Sequence, residues 1–370
     1  MVIETLQAKV QGMLDQLVAS GEEVGLQVAA YLDGDLAVDA WAGLADEAAG
    51  RSVDGETLFT AMSTTKGFVA TCLHLLAERG MVAYDAPIAA YWPEFAANGK
   101  ERATVRHALT HAAGVPHLPE GVTPEWLCDW DGMCAYLAAA APLYEPGTRS
   151  TYHGATFGYI IGEIVRRVDG RPISVFAQEE LCALLGIDDF YLGIPEAVAP
   201  RVATLRDDPA ATAAIASLTG WARRIVPPQA CSAAVFNRPD MRRASLPFAG
   251  GIMNARAIAR HYAMLAGHGA LDGVRLLSPA RVEEMRALQA FEPGAIQDGK
   301  PRKGLGYMLV GEPDERDRYA FGHDGYGGSL GLADPARRLS VGLVKTLLRA
   351  DTATADAIVA ELQGAIPVRA

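Results

Sequence analysis

The chain has 370 residues, 50% hydrophobic and 21% charged, which is material for roughly two to three domains with a sizeable buried core. Its 33 basic residues against 44 acidic ones leave a net charge of -11, and with no basic cluster to reverse it, nucleic acid and membrane surface are excluded as expected partners. The composition also excludes a disordered, fibrous or repeat-only protein, and no stretch reaches the roughly 18 apolar residues of a bilayer span.

In chain order, Ile3, Leu6, Val10, Met13, Leu14, Leu17 and Val18 recur at helical spacing. Met1-Val2-Ile3-Glu4 carries no basic leader, so an amphipathic helix of a cytoplasmic protein is expected rather than a signal peptide. Residues 24–32 are rich in β-formers, Asp33-Gly34 is a hairpin turn signal, and 36–41 returns as the second strand. A short apolar piece at 57–61 precedes a change to helical spacing at Ser63, continued by Phe68, Cys72, Leu75 and Leu76 and stopped at Gly80. Helical segments then dominate, at 105–113, 126–140, 156–168, 173–185 and 256–266. Near the end, β-type runs at 304–310, 319–321, 329–333 and 339–347, with a turn at Asp334-Pro335, lead into a closing helix at 351–362. The expected fold is α+β. An antiparallel sheet built from 1–84 and 301–370 is flanked by the N- and C-terminal helices, with a mostly helical domain inserted at 85–300 and the active site at the interface. Cys72, Cys128, Cys134, Cys182 and Cys231 are odd in number and lack metal-ligand spacing, so free reduced thiols are expected.

Ser63-Thr64-Thr65-Lys66 is the most informative tetrad. With eleven serines and six lysines in the chain, a Ser followed by Lys three residues on arises by chance roughly 0.2 times. A serine that only caps the helix is the bland alternative. A capping box, however, wants Glu or Gln where Lys66 stands, and a cation in the first turn opposes the helix dipole. As a catalytic pair the two side chains share a helix face, and the dipole with partial burial lowers the Lys66 pKa, giving a neutral amine to take the Ser63 proton. The same helix end offers the Ser63 N–H to an oxyanion. Tyr152 follows the turn Glu145-Pro146-Gly147 and precedes a helix. Late in the chain, Phe321-Gly322-His323-Asp324-Gly325-Tyr326-Gly327-Gly328-Ser329 ends a strand in glycines that permit close backbone approach.

Ser63-x-x-Lys66, Tyr152 ahead of a helix and His323-x-Gly325 in a late strand resemble the three ordered motifs of the serine β-lactamase and penicillin-binding protein superfamily, in its class C-like branch. The stretches 104–114, 247–254 with Gly250-Gly251, and 322–328 resemble those of the β-lactamase-like carboxylesterases called family VIII. The resemblance implies a β-lactamase/transpeptidase-like fold with no metal and no cofactor. It implies Ser63 as the acylated nucleophile, Lys66 as general base and Tyr152 as the proton relay to the leaving group. The oxyanion hole is implied from the N–H groups of Ser63 and Tyr326, with His323, Gly325 and His153 on the substrate side. Tyr152-His153-Gly154 departs from the Tyr-x-Asn of penicillin-recognising relatives, and His323-Asp324-Gly325 from their Lys-Thr-Gly. Loss of the amide and of the fixed cation shifts the expected substrate from β-lactams or D-Ala-D-Ala to small neutral esters. An acyltransferase, a weak β-lactamase or D-amino-acid peptidase, and a catalytically silent binding protein remain alternatives, and the oligomeric state is open.

Two other patterns compete. Gly327-Gly328-Ser329-Leu330-Gly331 fits the G-x-S-x-G elbow, but a β-type run follows it and His323 is the last histidine of the chain. His107 and His111 have helical zinc spacing without the Glu or a third ligand, and read as structural histidines. Trp126, Trp130, Trp221, Phe248 and Tyr326 are candidates for an acyl or alcohol pocket, or ordinary core.

Overall fold

The computed structural model describes residues 2–289, 302–311 and 319–369. Both chain ends enter one seven-stranded antiparallel sheet. Its order is Met308–Val310, Ala320–Asp324, Leu330–Asp334, Leu339–Lys345, Gly25–Leu32, Asp35–Asp46 and Arg51–Ser52. Asp33 and Gly34 both have positive φ, the conformation that a two-residue hairpin turn demands, and Leu32 pairs with Asp35 across it. Val28 lies opposite Leu343 in the central register, joining the first strand of the chain to its last long one.

Side chains alternate across that sheet with period two. Leu26, Val28 and Ala30 pack with Leu6, Val10 and Leu14 of the helix Val2–Ala19 and with Ile358 and Leu362 of the helix Ala353–Ala365. Ala29 and Tyr31 face the other core. That face is covered by the helix Ala255–Ala266. Its Ser340 contact is a hydroxyl donating to the Ala259 carbonyl (2.7 Å). Gly331 and Gly342 have no room for a Cβ, against Tyr262 and the Ala255 carbonyl respectively. This helix was expected within the inserted region, yet it packs as a layer of the sheet; helical periodicity does not reveal which partner an apolar face will meet. The expected boundary at 300/301 lies outside the described residues.

The helix Thr65–Glu78 is buried on every side from Thr65 to Ala77, so it is the hydrophobic centre between the sheet and the helices of the middle region rather than a half-exposed one. Gly80 has φ +73 and ends it as expected. The segment 126–140 is two helices, Pro124–Cys128 and Trp130–Ala139, because the Asp129 carboxylate caps the second by accepting the Gly132 N–H (3.0 Å). All five cysteines are free thiols. Among the described residues no helix is long and apolar enough to cross a membrane.

Candidate active site

A second, three-stranded sheet aims the chain into the site. Phe59–Thr60 pairs with Gly251–Met253, which also pairs with Phe190–Leu192. The Ala61 N–H continues the pairing to the Gly251 carbonyl (2.8 Å). Met62 then adopts φ +48, a left-handed conformation costing a non-glycine residue about 1 to 3 kcal/mol. A short 3-10 turn, Met62–Thr64, leads into the Thr65–Glu78 helix. The Thr65 hydroxyl locks this turn, donating to the Met62 carbonyl (2.6 Å) and accepting the Gly251 N–H (3.0 Å).

Ser63 is not a helix cap, since neither cap position at this helix start makes a side-chain hydrogen bond. Its Oγ lies 2.9 Å from Lys66 Nζ, and Nζ donates to the Phe248 carbonyl at 2.7 Å. Lys66 is fully buried. Burial lowers its pKa from 10.5 to about 7, against the opposing pull of Asp324 and Cys231. A neutral amine beside the hydroxyl is therefore accessible at neutral pH, and complete burial is its main cause. The carbonyl of Phe248 was not foreseen as a partner.

Tyr152 reaches the same point from the loop before the helix Thr156–Asp169. Lys66 Nζ is 5.1 Å from the centre of its ring. His111 lies behind that ring at 4.8 Å, and His323 at 6.1 Å. His111, itself at φ +59, fixes the loop twice. Its carbonyl accepts the Thr151 N–H (3.0 Å) and its Nδ1 accepts the His153 N–H (3.1 Å). Burial holds His111 far below the ordinary histidine pKa, which keeps Nδ1 an acceptor. His107 completes a capping box with Thr104. The two histidines thus have structural duties, and the described residues hold no cluster of three metal-ligating side chains.

The strand Ala320–Asp324 forms the third wall. Gly325 follows, and a Cβ there would lie 2.6 Å from the Ala61 carbonyl oxygen; it is a close-approach glycine rather than a lining residue. The Ser329 hydroxyl donates to that same carbonyl (2.7 Å) and accepts from Thr64 Oγ1 (3.1 Å). The serine of the G-x-S-x-G pattern is therefore a tie between the glycine loop and the Ser63 turn. Among the described residues no protein acceptor takes the N–H of Ser63 or of Tyr326.

These groups open onto a cavity of about 450 Å³. Ser63, Tyr152, His323 and Tyr326 line it, and among the described residues Asp324 is the charged one in its walls. The rest is mainly carbon, from Met62, Leu118, Phe248 and a segment at 209–236 that carries Ile215, Leu218 and Phe236. Phe248 and Tyr326 thus face the cavity, whereas Trp126, Trp130 and Trp221 do not line it. Trp130 donates its indole N–H to Glu163 (2.9 Å), and Trp221 is largely exposed.

Like Gly325, His153 departs from its expected place. His153 was placed on the substrate side, but it is fully buried and absent from the cavity walls. Its Nδ1 pairs with the Thr151 carbonyl (2.6 Å), and burial lowers its pKa to about 3. Tyr152 and Gly154 line the cavity instead. At Gly154 a Cβ would stand 3.2 Å from the Ile225 carbonyl oxygen, so the place of the missing Asn is taken by the backbone of the 209–236 segment.

The β-lactamase family model matches residues 10–365. The esterase/β-lactamase LipL of Mycobacterium tuberculosis is 37% identical over 337 residues, covering 88% of this chain and 77% of LipL. A crystal structure of a family VIII carboxylesterase superposes with TM-score 0.83 at 33% identity, covering 95% of this chain and 97% of that one. A penicillin-binding protein homologue from Caulobacter crescentus gives 0.80 at 35% identity, covering 95% and 96%. With this match over nearly its whole length, around a cavity-lining serine paired with a buried lysine, the chain belongs to the β-lactamase family and is one of its serine hydrolases.

Proposed function

We propose that the protein is a carboxylesterase working through an acyl-enzyme on Ser63. The neutral Lys66 amine takes the Ser63 proton as Oγ attacks the ester carbonyl. The oxyanion that develops is held by the N–H groups of Ser63 and Tyr326. The Tyr152 hydroxyl passes the proton to the departing alcohol, and water then cleaves the acyl-enzyme by the same relay in reverse. The observation that carries this reading is the 2.9 Å contact of Ser63 Oγ with a fully buried amine whose pKa is drawn to about 7.

Neutral esters fit the walls better than β-lactams do. Among the described residues the cavity walls carry Asp324 as their charged group and no Lys or Arg to hold a substrate carboxylate, and burying an unpaired carboxylate there is strongly unfavourable. The name of the family VIII carboxylesterase structure agrees with ester cleavage, and that of the esterase/β-lactamase LipL includes it beside β-lactam cleavage.

Reaction with a p-nitrophenyl phosphonate tests the assignment. Intact mass should rise by one phosphonyl group per chain, peptide mapping should place it on Ser63, and Ser63→Ala should remove it. Stoichiometric labelling of Ser63→Ala, or an adduct mapped to another residue, overturns the assignment.

A further inference from the structure

Much of the carbon wall of the cavity comes from one segment, 209–236, and that segment is fastened to the opposite rim by an arginine. Its helices Pro209–Ala216 and Gly220–Ile225 each bury a single residue, Ala211 and Ile225. So little buried surface leaves such an element at the low end of local stability. Yet it places Ile215, Leu218 and Ile225 on the cavity, facing Leu118 of the other rim. Between the two rims the Leu118 N–H donates to the Arg224 carbonyl (3.0 Å). The Arg224 guanidinium donates back to the Leu118 carbonyl through Nε (3.3 Å) and Nη2 (3.1 Å), and Nη2 also reaches the Tyr136 hydroxyl (3.3 Å). It stacks on Trp221 at 4.6 Å, and Trp221 meets the buried His117 ring edge-on at 5.3 Å. Arg224 itself does not line the cavity.

We infer that Arg224 is a specificity-determining residue: its clasp onto Leu118 closes the 209–236 segment over the site and sets the upper size of the hydrocarbon group that an ester substrate can insert. The inference rests on the esterase reading and names its substrate class, neutral esters carrying an unbranched carbon chain. With the guanidinium in place the wall is fixed by two-way pairing between 118 and 224. Without it the Leu118 N–H bond to the Arg224 carbonyl and the Gln229 amide's bond to the Val122 carbonyl (3.2 Å) remain, and the two helices, with one buried residue each, shift to admit a longer chain while Ala230, Ala233 and Phe236 stay buried behind them. A hydrocarbon wall discriminates by chain length because each methylene excluded or admitted changes binding by a modest, cumulative factor.

The test uses the full chain and two ester series: p-nitrophenyl esters from acetate to dodecanoate, and butyrates of alcohols from methanol to decanol followed by pH-stat. In Arg224→Ala the long-to-short ratio of kcat/KM rises about ten-fold or more in one series, and the responding series tells whether acyl chain or alcohol occupies the wall. Leu218→Trp, which fills the same wall, lowers that ratio and shows that this wall senses the chain; if Arg224→Ala does not fold, Arg224→Lys, which keeps the charge but loses the paired Nε and Nη2 donors, raises the ratio in its place. An unchanged ratio in the folded Arg224 variant, or a parallel loss across all chain lengths, overturns the inference while phosphonate labelling of Ser63 in the wild type leaves the esterase reading standing. Absence of that labelling removes the reading and the inference together.

Discussion

Replacing Lys66 with Met lowers kcat/KM for a short p-nitrophenyl ester by about 10⁴- to 10⁶-fold, the range seen when one member of a nucleophile-base unit is removed. The side chains are close in volume, so the loss measures the amine. In the proposed mechanism Lys66 serves as base only when neutral. Since burial brings its pKa from 10.5 to about 7, log kcat/KM should climb with unit slope below pH 7 and level off above it. The nearby Asp324 charge holds the amine up against that burial. Asp324→Asn should therefore move the inflection to lower pH. Stability gives an independent reading. An amine at about 7 in the folded protein and 10.5 when released makes the unfolded state bind more protons between those values. Stability from this group is thus fully present above about pH 10.5 and falls as pH drops toward 7. The Tm of the wild type minus that of Lys66→Met should decline over that window and flatten below it. A pH-independent Tm difference, or a rate profile bending near 10, would refute a buried, neutral Lys66.

The Ser-Lys pair was legible because it is local. Residues three apart on one helix share a face whatever else the chain does, and a lysine is a poor choice for a helix start. The sheet from both chain ends was legible for a similar reason, since Asp33-Gly34 and the period-two runs are short-range signals. What surrounds the pair is not local. Phe248 supplies its carbonyl to Lys66 from 182 positions away, through a main-chain atom that no side-chain motif announces. The left-handed Met62 has no sequence signature at all. His153 was misassigned because consecutive side chains of a loop turn to opposite sides, and the sequence does not say which side faces the cavity; Tyr152 and Gly154 line it while His153 points into protein. The 209–236 wall was missed because alanine-rich stretches carry weak periodicity. Its clearest trace is Gly154, where a missing side chain makes room for Ile225.

Gly325→Ala tests whether the glycine loop must lie flush on the Ser63 turn, and it should lower kcat by about 10²- to 10³-fold with little change in KM. Gly325 is not among the positive-φ glycines, unlike Gly327 and Gly328, so its requirement is space rather than conformation. A methyl group there would lie 2.6 Å from the Ala61 carbonyl oxygen and 3.2 Å from Met62 Cβ, and would overlap the Ser329 hydroxyl. The hydroxyl can rotate away, at the expense of its hydrogen bonds to Ala61 and Thr64. The carbonyl cannot, because Ala61 is pinned to Gly251 on its other side. Relief must come from the loop, which carries the Tyr326 N–H away from the Ser63 N–H. A displacement of a few tenths of an ångström is small for the fold and large for two donors that, in the proposed mechanism, must meet one oxyanion. The ground-state ester makes little use of those donors, which is why the loss falls on kcat. Gly12→Ala, on the N-terminal helix with nothing within 4 Å of the new methyl group, should leave kcat unchanged. If Gly325→Ala loses Tm but keeps kcat, the loop's contact with Ala61 serves the fold alone and the Tyr326 N–H is not part of the oxyanion site.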